Sequence, residues 1–279
     1  MKIVVAGKGG VGKTLVAGTL ARIYARMGFN VLAVDADPAV NLAYALGVPP
    51  EVSSKIVPIA ENSSLIEERT GAKPGSAFGL LFSLTPTVDD IADKYGIIGP
   101  DGVKLLVMGT IRSGGSGCAC PANSLLSALI RHITLMRGDM VIMDTEAGLE
   151  HLGRATAKGF DVLICVVEPN APSIETGIKI RRLAGEINIK AVIFVGNKVS
   201  GASDEEYIRG ELSKYSLSLF HTIPFDQSVI MAGRARIAPI DYSQSSPAIQ
   251  AIESLANKLI KEFASGVKPL GGSEKSQIV

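Results

Sequence analysis

The sequence contains no tryptophan, and only 5% of its 279 residues are aromatic. It also lacks an excess of either charge, because 28 Lys and Arg residues face 27 Asp and Glu residues and leave a formal net charge of +1. That balance excludes a general electrostatic attraction to nucleic acid or to an anionic membrane surface. We therefore expect neither nucleic acid nor a membrane as a partner.

Long apolar runs are absent as well. No stretch approaches the length of a membrane-spanning helix, and the N-terminus lacks the basic and apolar regions of a signal peptide. Only three cysteines are present, two of them one residue apart, which is not the framework of a disulfide-rich secreted domain. These absences lead us to expect a cytoplasmic protein.

The N-terminal segment carries the strongest positive signal. Residues Gly7 to Thr14 match G-x-x-x-x-G-K-[ST], the phosphate-binding P-loop. The apolar run Ile3–Ala6 predicts a buried strand before it, and the apolar spacing of Leu15–Met27 predicts a helix that ends at Gly28. Strand, glycine-rich loop and helix in this order place backbone N–H groups and a helix N-terminus against phosphate oxygen atoms.

The P-loop pattern also assigns roles to side chains. Lys13 is expected to contact the β- and γ-phosphates, and the Thr14 hydroxyl to bind Mg²⁺. The glycines also fit the dinucleotide pattern G-x-G-x-x-G, with Asp35 in the place of the ribose acid. That pattern leaves Lys13 and Thr14 without a function, so the P-loop is favoured. The predicted phosphate-binding set is Lys8, Gly9, Gly10, Val11, Gly12, Lys13, Thr14 and Leu15.

Further apolar runs predict the fold. Strands are expected at Ile3–Ala6, Val31–Val34, Leu105–Met108, Met140–Met143, Val162–Val167 and Ala191–Val195, with a weaker one at Leu217–Ile223. Most are continuously apolar rather than alternating, and helical segments separate them, which is typical of a parallel sheet covered on both faces. We predict an α/β P-loop NTPase fold with a mostly parallel sheet between two layers of helices, in a single domain over residues 1–265.

Two regions are less regular. Residues 48–104 are rich in proline and carry short helical stretches near 63–70 and 87–95. We interpret them as an elaborated connection over the sheet edge or the nucleotide. The helix Pro247–Phe263 is the last ordered element expected, and the polar residues 266–279 are predicted to form a flexible tail.

Carboxylates follow two of the predicted strands. Asp144 ends the run Met140–Met143 in the manner of the acid that holds Mg²⁺ in P-loop enzymes, so we assign it to Mg²⁺ together with Thr14. Asp37 is a candidate for positioning or activating the attacking water. It could instead cap a helix over residues 39–46, and Asp35 and Asp37 could serve the outer shell of the metal.

Cys118 and Cys120 form the second unusual motif. A predicted helix over Asn123–Met136 follows them, so both thiols lie near its N-terminus, where the thiol pKa falls and thiolate is favoured. Together they could bind one soft metal ion, but closed sulfur sites take four ligands, which two subunits related by a two-fold axis would supply. The alternative is a pair of inert small residues in a loop.

Lys8, directly after the first glycine, completes the form Lys-Gly-Gly-x-Gly-Lys-Thr. This form resembles the deviant Walker A motif of an ATPase class that includes the nitrogenase iron protein and the septum-placing and chromosome-partitioning ATPases. In that class the equivalent lysine crosses a dimer interface to the partner's nucleotide. The resemblance implies a homodimer in the nucleotide- or metal-bound state, and Lys8 joins Lys13 and Asp37 as a predicted catalytic residue.

The same resemblance implies the base-binding residues. In that class an asparagine after a late strand contacts the adenine edge, and Asn197, next to Lys198, stands in that place. Pro224 and Asp226 fit the later loop that flanks the base. An Asn-Lys pair also occurs in the guanine-reading motif of GTPases, but Gly201 stands where that motif needs an aspartate, so we predict ATP rather than GTP.

A narrower resemblance rests on several motifs taken together. Besides the P-loop, they are Asp35-x-Asp37-Pro38, the Cys-x-Cys pair, Glu150-His151-Leu152, and Val167-Glu168-Pro169-Asn170 with Ser173-Ile174-x-Thr176-Gly177. Over roughly residues 1–260 they look like the carbon monoxide dehydrogenase maturation ATPases. One departure is Leu15, where many relatives carry Thr or Ser; only its backbone N–H is needed for phosphate, so binding is expected to survive.

That resemblance implies an ATP-dependent nickel chaperone. Ni²⁺ would be held between subunits by Cys118 and Cys120, and the client would be carbon monoxide dehydrogenase or acetyl-CoA synthase. Zn²⁺ fits the same thiolates, because affinity order alone does not select nickel. The cofactors implied are therefore ATP, Mg²⁺ and Ni²⁺, with Zn²⁺ as an alternative.

Two other functions compete with this interpretation. An iron–sulfur redox ATPase similar to the nitrogenase iron protein would hold a [4Fe–4S] cluster on the same thiols, but that family draws its cluster cysteines from two separate segments. A membrane- or DNA-positioning ATPase is disfavoured because residues 266–279 contain no basic amphipathic helix.

Overall fold

The computed structural model describes residues 1–37, 39–74, 82–109, 120–136, 138–146, 159–243 and 245–263. The strands are β1 (Lys2–Gly7), β2 (Val31–Ala36), β3 (Ile97–Ile98), β4 (Lys104–Val107), β5 (Met140–Thr145), β6 (Val162–Val167), β7 (Ala191–Val199) and β8 (Leu219–Pro224). The helices are α1 (Lys13–Arg26), α2 (Leu42–Leu46), α3 (Pro50–Ser53), α4 (Ser63–Thr70), α5 (Ile91–Tyr95), α6 (Cys120–Leu135), α7 (Ala171–Glu186), α8 (Ala202–Ser213), α9 (Gln227–Ala235), α10 (Pro239–Tyr242) and α11 (Pro247–Phe263).

The strands form one sheet in the order β3-β4-β2-β5-β1-β6-β7-β8. Every neighbouring pair is parallel except β3 and β4, which are antiparallel at one edge. The prediction of a mostly parallel sheet is therefore confirmed. Strand β3 was not part of this prediction, because its two residues are too few to form a recognisable apolar pattern.

Helices cover both faces of the sheet, as predicted. Helices α1, α2 and α11 pack with one face in a continuous apolar core, and α4, α6, α7 and α8 pack with the other. All six residues of β5 and of β6 are buried, which explains why these strands read as unbroken apolar runs. On the face that carries α1, the buried hydroxyl of Tyr24 in α1 donates a hydrogen bond to the carbonyl oxygen of Ala256 in α11.

Several element boundaries differ from the sequence prediction. Helix α1 begins at Lys13, two residues earlier than expected, and it ends before Gly28, whose positive φ of 86° terminates it. Strand β7 continues to Val199, so Asn197 and Lys198 lie inside the strand rather than after it. The strand can continue because its pairing with β8 shifts register between Gly196 and Val199.

The carboxyl ends of the central strands bring the predicted site residues to one edge of the sheet. The P-loop follows β1, Asp35 and Asp144 lie at the ends of β2 and β5, and Asn197 lies near the end of β7. Ligands of open α/β sheets bind at this edge, where the strand order reverses around β1. Within the described parts of the chain, no helix is long and apolar enough to cross a membrane.

Candidate nucleotide-binding site

The P-loop runs from β1 into the N-terminus of α1 with the backbone that its glycines allow. A side chain on Gly7 would place its Cβ 2.4 Å from the carbonyl oxygen of Val166. Gly12 has a φ of 94° and lies so close to Asn197 that a Cβ would be 2.3 Å from the amide nitrogen of that residue. Larger residues are excluded at both positions, and the loop lies directly against β6 and β7.

The N-terminus of α1 has no cap of its own. Gly12 offers no side chain, and the first turn contains no acidic residue. The leading N–H groups of a helix lack intrahelical partners and carry its positive dipole end, which together attract an anion. This arrangement favours the binding of phosphate groups.

The two P-loop lysines occupy different environments. The side chain of Lys13 is 6% exposed, and its Nζ lies 3.3 Å from the carbonyl oxygen of Lys8. Burial lowers the pKa of Lys13, and the carboxylates of Asp144, Asp37 and Glu146 oppose that shift. Lys8 is exposed at the tip of the loop. Lys13 is thus directed into the site, while Lys8 is accessible from outside the chain.

Thr14 and Asp144 contact each other, as a shared Mg²⁺ site requires. The Thr14 hydroxyl donates a hydrogen bond of 2.6 Å to Oδ2 of Asp144. The other carboxylate oxygen, Oδ1, is buried and has no hydrogen-bond partner among the described residues. A hydroxyl and an orphaned carboxylate oxygen are the oxygen donors that Mg²⁺ prefers, so these residues fit the ion.

Asp35 lies beside Asp144 in the register of β2 and β5. Burial raises the pKa of Asp144 to about 7 and that of Asp35 to about 6. Ionising both of these neighbouring carboxylates costs free energy, because neither has any exposed area and their negative charges repel each other. A bound cation would offset that cost, which further favours a metal at this edge of the sheet.

Asp35 and Asp37 organise the segment that leads into α2. Oδ1 of Asp35 accepts a hydrogen bond from the N–H of Asp37, and its Oδ2 accepts one from the N–H of Leu42, the first residue of α2. Asp37 accepts a hydrogen bond from the N–H of Ala39 and does not cap α2, whose N-cap position is Asn41. The first N–H of α2 is therefore bound by Asp35 and not by Asp37. The positioning of the attacking water by Asp37 stays a prediction.

Asn197 and Lys198 hold two successive carbonyl groups of the P-loop. Nδ2 of Asn197 donates a 2.7 Å hydrogen bond to the carbonyl oxygen of Val11, and Nζ of Lys198 donates one of 2.8 Å to that of Gly10. In a trans peptide the C=O and the following N–H point in opposite directions, so these contacts also fix the N–H groups of Val11 and Gly12. Both side chains thereby orient the predicted phosphate cradle.

Glu168 at the end of β6 completes this arrangement. Its Oε1 lies 2.5 Å from Nζ of Lys198, and its Oε2 accepts a hydrogen bond of 3.2 Å from Asn170. Lys198 itself has a positive φ of 57°, which is uncommon for a residue with a side chain. The motif Glu168-Pro169-Asn170 is visible in the sequence, but the ion pair of Glu168 with Lys198 could not be predicted from it.

We expect the double replacement of Asn197 and Lys198 by alanine to raise the KM for ATP by at least about thirtyfold, since each of the two hydrogen bonds contributes about 1–2 kcal/mol. Steady-state ATPase assays measure this change. The matched control replaces Lys179 and Asn257, which are exposed on α7 and α11, and is expected to leave KM unchanged.

Binding of inorganic tripolyphosphate separates this role from recognition of adenine by Asn197. If Asn197 orients the P-loop, its replacement by alanine weakens tripolyphosphate and ATP to a similar extent. A loss of affinity confined to ATP would contradict that role and favour a contact with the base.

Asp226, predicted to flank the base, accepts hydrogen bonds from the first turns of two helices. Its Oδ1 accepts a hydrogen bond of 2.8 Å from the N–H of Ser228 at the start of α9. Its Oδ2 accepts hydrogen bonds from the Ser246 hydroxyl and from the N–H of Ala248 at the start of α11. Pro224 ends β8. Asp226 therefore fixes the loop after β8, and contact of these two residues with a base remains a prediction.

The cysteine motif is only partly within the described residues. Cys118 lies outside them, whereas Cys120 is exposed and begins α6, so the predicted place at a helix start is correct for this residue. Within the described segments no group of three or more His, Cys, Asp or Glu residues could hold a metal ion.

Comparisons with known proteins agree with this site. Residues 2–240 match the family described as the CobQ/CobB/MinD/ParA nucleotide binding domain. An uncharacterized ATP-binding protein of Methanocaldococcus jannaschii is 43% identical over 265 residues, which are 94% of this chain and 98% of that protein. The carbon monoxide dehydrogenase accessory protein CooC of Rhodospirillum rubrum is 42% identical over 243 residues, which are 87% of this chain and 90% of that protein.

Solved structures confirm the fold. The septum site-determining protein MinD of Pyrococcus horikoshii, in complex with Mg-ADP, superposes with a TM-score of 0.64 at 20% identity, over 93% of this chain and 96% of that one. A ParA family ATPase of Chlorobium tepidum superposes with a TM-score of 0.65 at 16% identity, over 92% and 97% of the two chains.

Proposed function

We propose that this chain, which belongs to the CobQ/CobB/MinD/ParA nucleotide-binding family and is an ATP hydrolase, uses its ATP cycle to deliver nickel to carbon monoxide dehydrogenase or acetyl-CoA synthase. The observation that carries the proposal is the 42% identity to the carbon monoxide dehydrogenase accessory protein along 87% of this chain. The Cys-x-Cys motif, whose second cysteine begins α6, supports it, because a metal carrier needs soft ligands that can also release the ion.

In this proposal the residues around the P-loop bind MgATP. The P-loop N–H groups and Lys13 hold the phosphates, and Thr14 and Asp144 hold Mg²⁺, which would neutralise charge on the β- and γ-phosphates. Asp37 positions the attacking water. The support is the buried Lys13 beside three carboxylates and the Oδ1 of Asp144, which no described residue pairs with.

Lys8 acts on the nucleotide of a second subunit. It is exposed at the loop tip, and no ion pair to it is found among the described residues. A lysine that approaches the phosphates only across a dry dimer interface would stabilise charge in the transition state without holding substrate in the ground state. The active form is then a homodimer with two ATP molecules.

Nickel is the cargo of this dimer and lies between Cys118 and Cys120 of one subunit and the same pair of the other. The start of α6 favours thiolates in the reduced chain. The protein is loaded in its reduced form, because the ion binds thiolates. ATP draws the subunits together, which changes the spacing of the two pairs and so couples nickel affinity to nucleotide state.

The experiment is activation of nickel-free carbon monoxide dehydrogenase by the reduced, nickel-loaded protein. We expect activity to appear with MgATP and to remain below about a tenth of that level without nucleotide, since a coupling free energy of 1–3 kcal/mol corresponds to a 5–150-fold effect. The Lys13→Gln variant is the matched control for nucleotide binding.

Equal activation by free nickel and by loaded protein would refute delivery. A brown protein with a broad visible band that reductant bleaches would favour the iron–sulfur alternative, and zinc recovered from the same thiolates would reassign the ion. Repeating the assay with nickel-free acetyl-CoA synthase distinguishes the two clients.

A further inference from the structure

A groove on the face of the sheet that carries α1 is separate from the nucleotide site. It has a volume of about 560 Å³. One side is formed by α2, α3 and the turn between them, including Tyr44 and Pro49, and the other by the α9–α10 connection, including Arg236 and Ile237. None of these residues has a function in the ATPase site.

The groove is preformed, because Arg22 of α1 joins its two sides from below. Nη1 of this arginine, which is 3% exposed, donates hydrogen bonds to the carbonyl oxygen of Leu46 at 2.6 Å and to Oδ2 of Asp241 at 2.9 Å. On the rim, the Tyr44 hydroxyl donates a hydrogen bond of 2.9 Å to the carbonyl oxygen of Ile237. A partner would therefore meet a shaped surface rather than a loose loop.

The surface beside the groove is apolar and exposed. Helix α9 buries only Ala232, while Ile230, Met231 and Ile237 have 39–43% of their area exposed. Tyr44 and Val52, across the groove, are exposed to a similar extent. A cluster of large apolar side chains around a concave surface is typical of a protein-binding site.

The charge of this surface is positive. Arg234 and Arg236 are exposed, and no carboxylate pairs with either within the described part of the chain. The one acidic residue in the groove lining, Asp241, is already bound by Arg22 and Arg26. An occupant that complements this surface carries carboxylates next to apolar side chains.

Both sides of the groove are attached to the nucleotide site. The first N–H of α2 is held by Asp35, which lies beside Asp144. Helix α9 is capped by Asp226, two residues after Pro224 in the loop predicted to flank the base. Movement of these segments with nucleotide would be transmitted to the groove through rigid elements.

We propose that this groove is the docking site for an acidic, apolar segment of the client enzyme, and that its affinity depends on the bound nucleotide. This proposal rests on the proposed function for the identity of the client. Apolar side chains of the segment enter the groove beside Tyr44 and Ile237, and its carboxylates pair with Arg234 and Arg236.

The test measures binding of purified nickel-free carbon monoxide dehydrogenase to the immobilised protein, with ADP and with a nonhydrolysable ATP analogue. The variant Arg234→Glu with Arg236→Glu is expected to weaken binding at least about tenfold and to remove its salt dependence. The matched control reverses Arg181 and Arg182, which are exposed on α7, and is expected to bind like wild type. Both variants should retain wild-type ATPase activity, which verifies their fold. The replacement Ile237→Ser tests the apolar contact separately.

Unchanged client binding in the Arg234 and Arg236 variant would overturn the docking site while leaving nickel delivery intact. Equal losses in both charge-reversed variants would overturn it as well, because the effect would then be one of net charge. Absence of client binding by wild type, together with failure of the activation assay, would refute the proposed function itself.

Vesicles of phosphatidylglycerol and sedimentation of the chain alone are parallel arms. Binding or self-association that these replacements abolish would assign the groove to a membrane or to a second copy, and would overturn the client.

Discussion

Replacement of Lys8 by alanine is expected to lower ATP turnover by about a thousandfold, the low end of the effect of a positively charged finger supplied by a second subunit. The reason is the position of Lys8 relative to the phosphate site of its own chain. Lys8 is exposed at the tip of the P-loop, whereas the buried Lys13 already occupies the phosphate side of its own chain. ATP binding to the isolated variant subunit should be little changed, because the ground-state contacts come from the loop backbone and Lys13.

A subunit-mixing experiment tests whether Lys8 acts across the interface. The Lys8→Ala chain keeps an intact phosphate site, and the Lys13→Gln chain keeps Lys8. In an equal mixture half of the dimers contain both chains, and each of these has one complete site, so we expect roughly a quarter of wild-type turnover from two nearly inactive proteins.

No recovery on mixing would mean that Lys8 serves the nucleotide of its own chain. Unimpaired turnover of the Lys8→Ala variant alone would mean that it is an ordinary solvated lysine. Sedimentation of the mixture with a nonhydrolysable nucleotide verifies that mixed dimers form.

The sheet and the P-loop could be predicted because their physical causes are local in sequence. Strands buried on both faces must be apolar at every position, so runs such as Val162–Val167 are visible without any structure. The glycines of the P-loop are required by backbone geometry, as the 2.4 Å approach of a Gly7 Cβ to β6 illustrates. The contact between Thr14 and Asp144 could be predicted as well, since Thr14 begins α1 directly after the P-loop and Asp144 lies near the end of β5, which a parallel sheet brings to the same edge. Their binding of Mg²⁺ stays a prediction.

The supporting contacts could not be predicted, because they depend on residues far apart in sequence. Lys198 contacts Gly10 across 188 positions, at a point where the pairing of β7 with β8 shifts register and Lys198 has a left-handed backbone. The place of Asn197 near the end of an apolar run is visible in the sequence, but its hydrogen bond to Val11 is not. Its contact with the base stays a prediction. The buried Arg22 similarly joins α1 to Asp241, a residue that no helical pattern connects with it.

The cysteine motif carries the second large effect that we predict. The reduced wild-type protein is expected to bind about one Ni²⁺ ion per two chains, whereas Cys118→Ala and Cys120→Ala should retain less than about a tenth of that amount, because a site with two remaining sulfur ligands is open to solvent and competing ions. Metal content after gel filtration measures it, with and without the ATP analogue.

The chain provides a matched control in Cys165. This cysteine has no exposed area, and burial raises its thiol pKa to about 12, so it is a poor source of thiolate. Cys165→Ala removes one of the three thiols and is expected to leave nickel content unchanged, at a modest cost in thermal stability from the small cavity created.

The ATPase activity of the three cysteine variants distinguishes a role in metal binding from a role in hydrolysis. If Cys118 and Cys120 bind cargo and take no part in hydrolysis, all three variants retain turnover, and only the first two fail to activate nickel-free carbon monoxide dehydrogenase. One ion bound per chain, or full nickel content in Cys120→Ala, would contradict a site shared between subunits. Because thiols must lose their protons to bind the ion, nickel affinity should also fall as the pH is lowered.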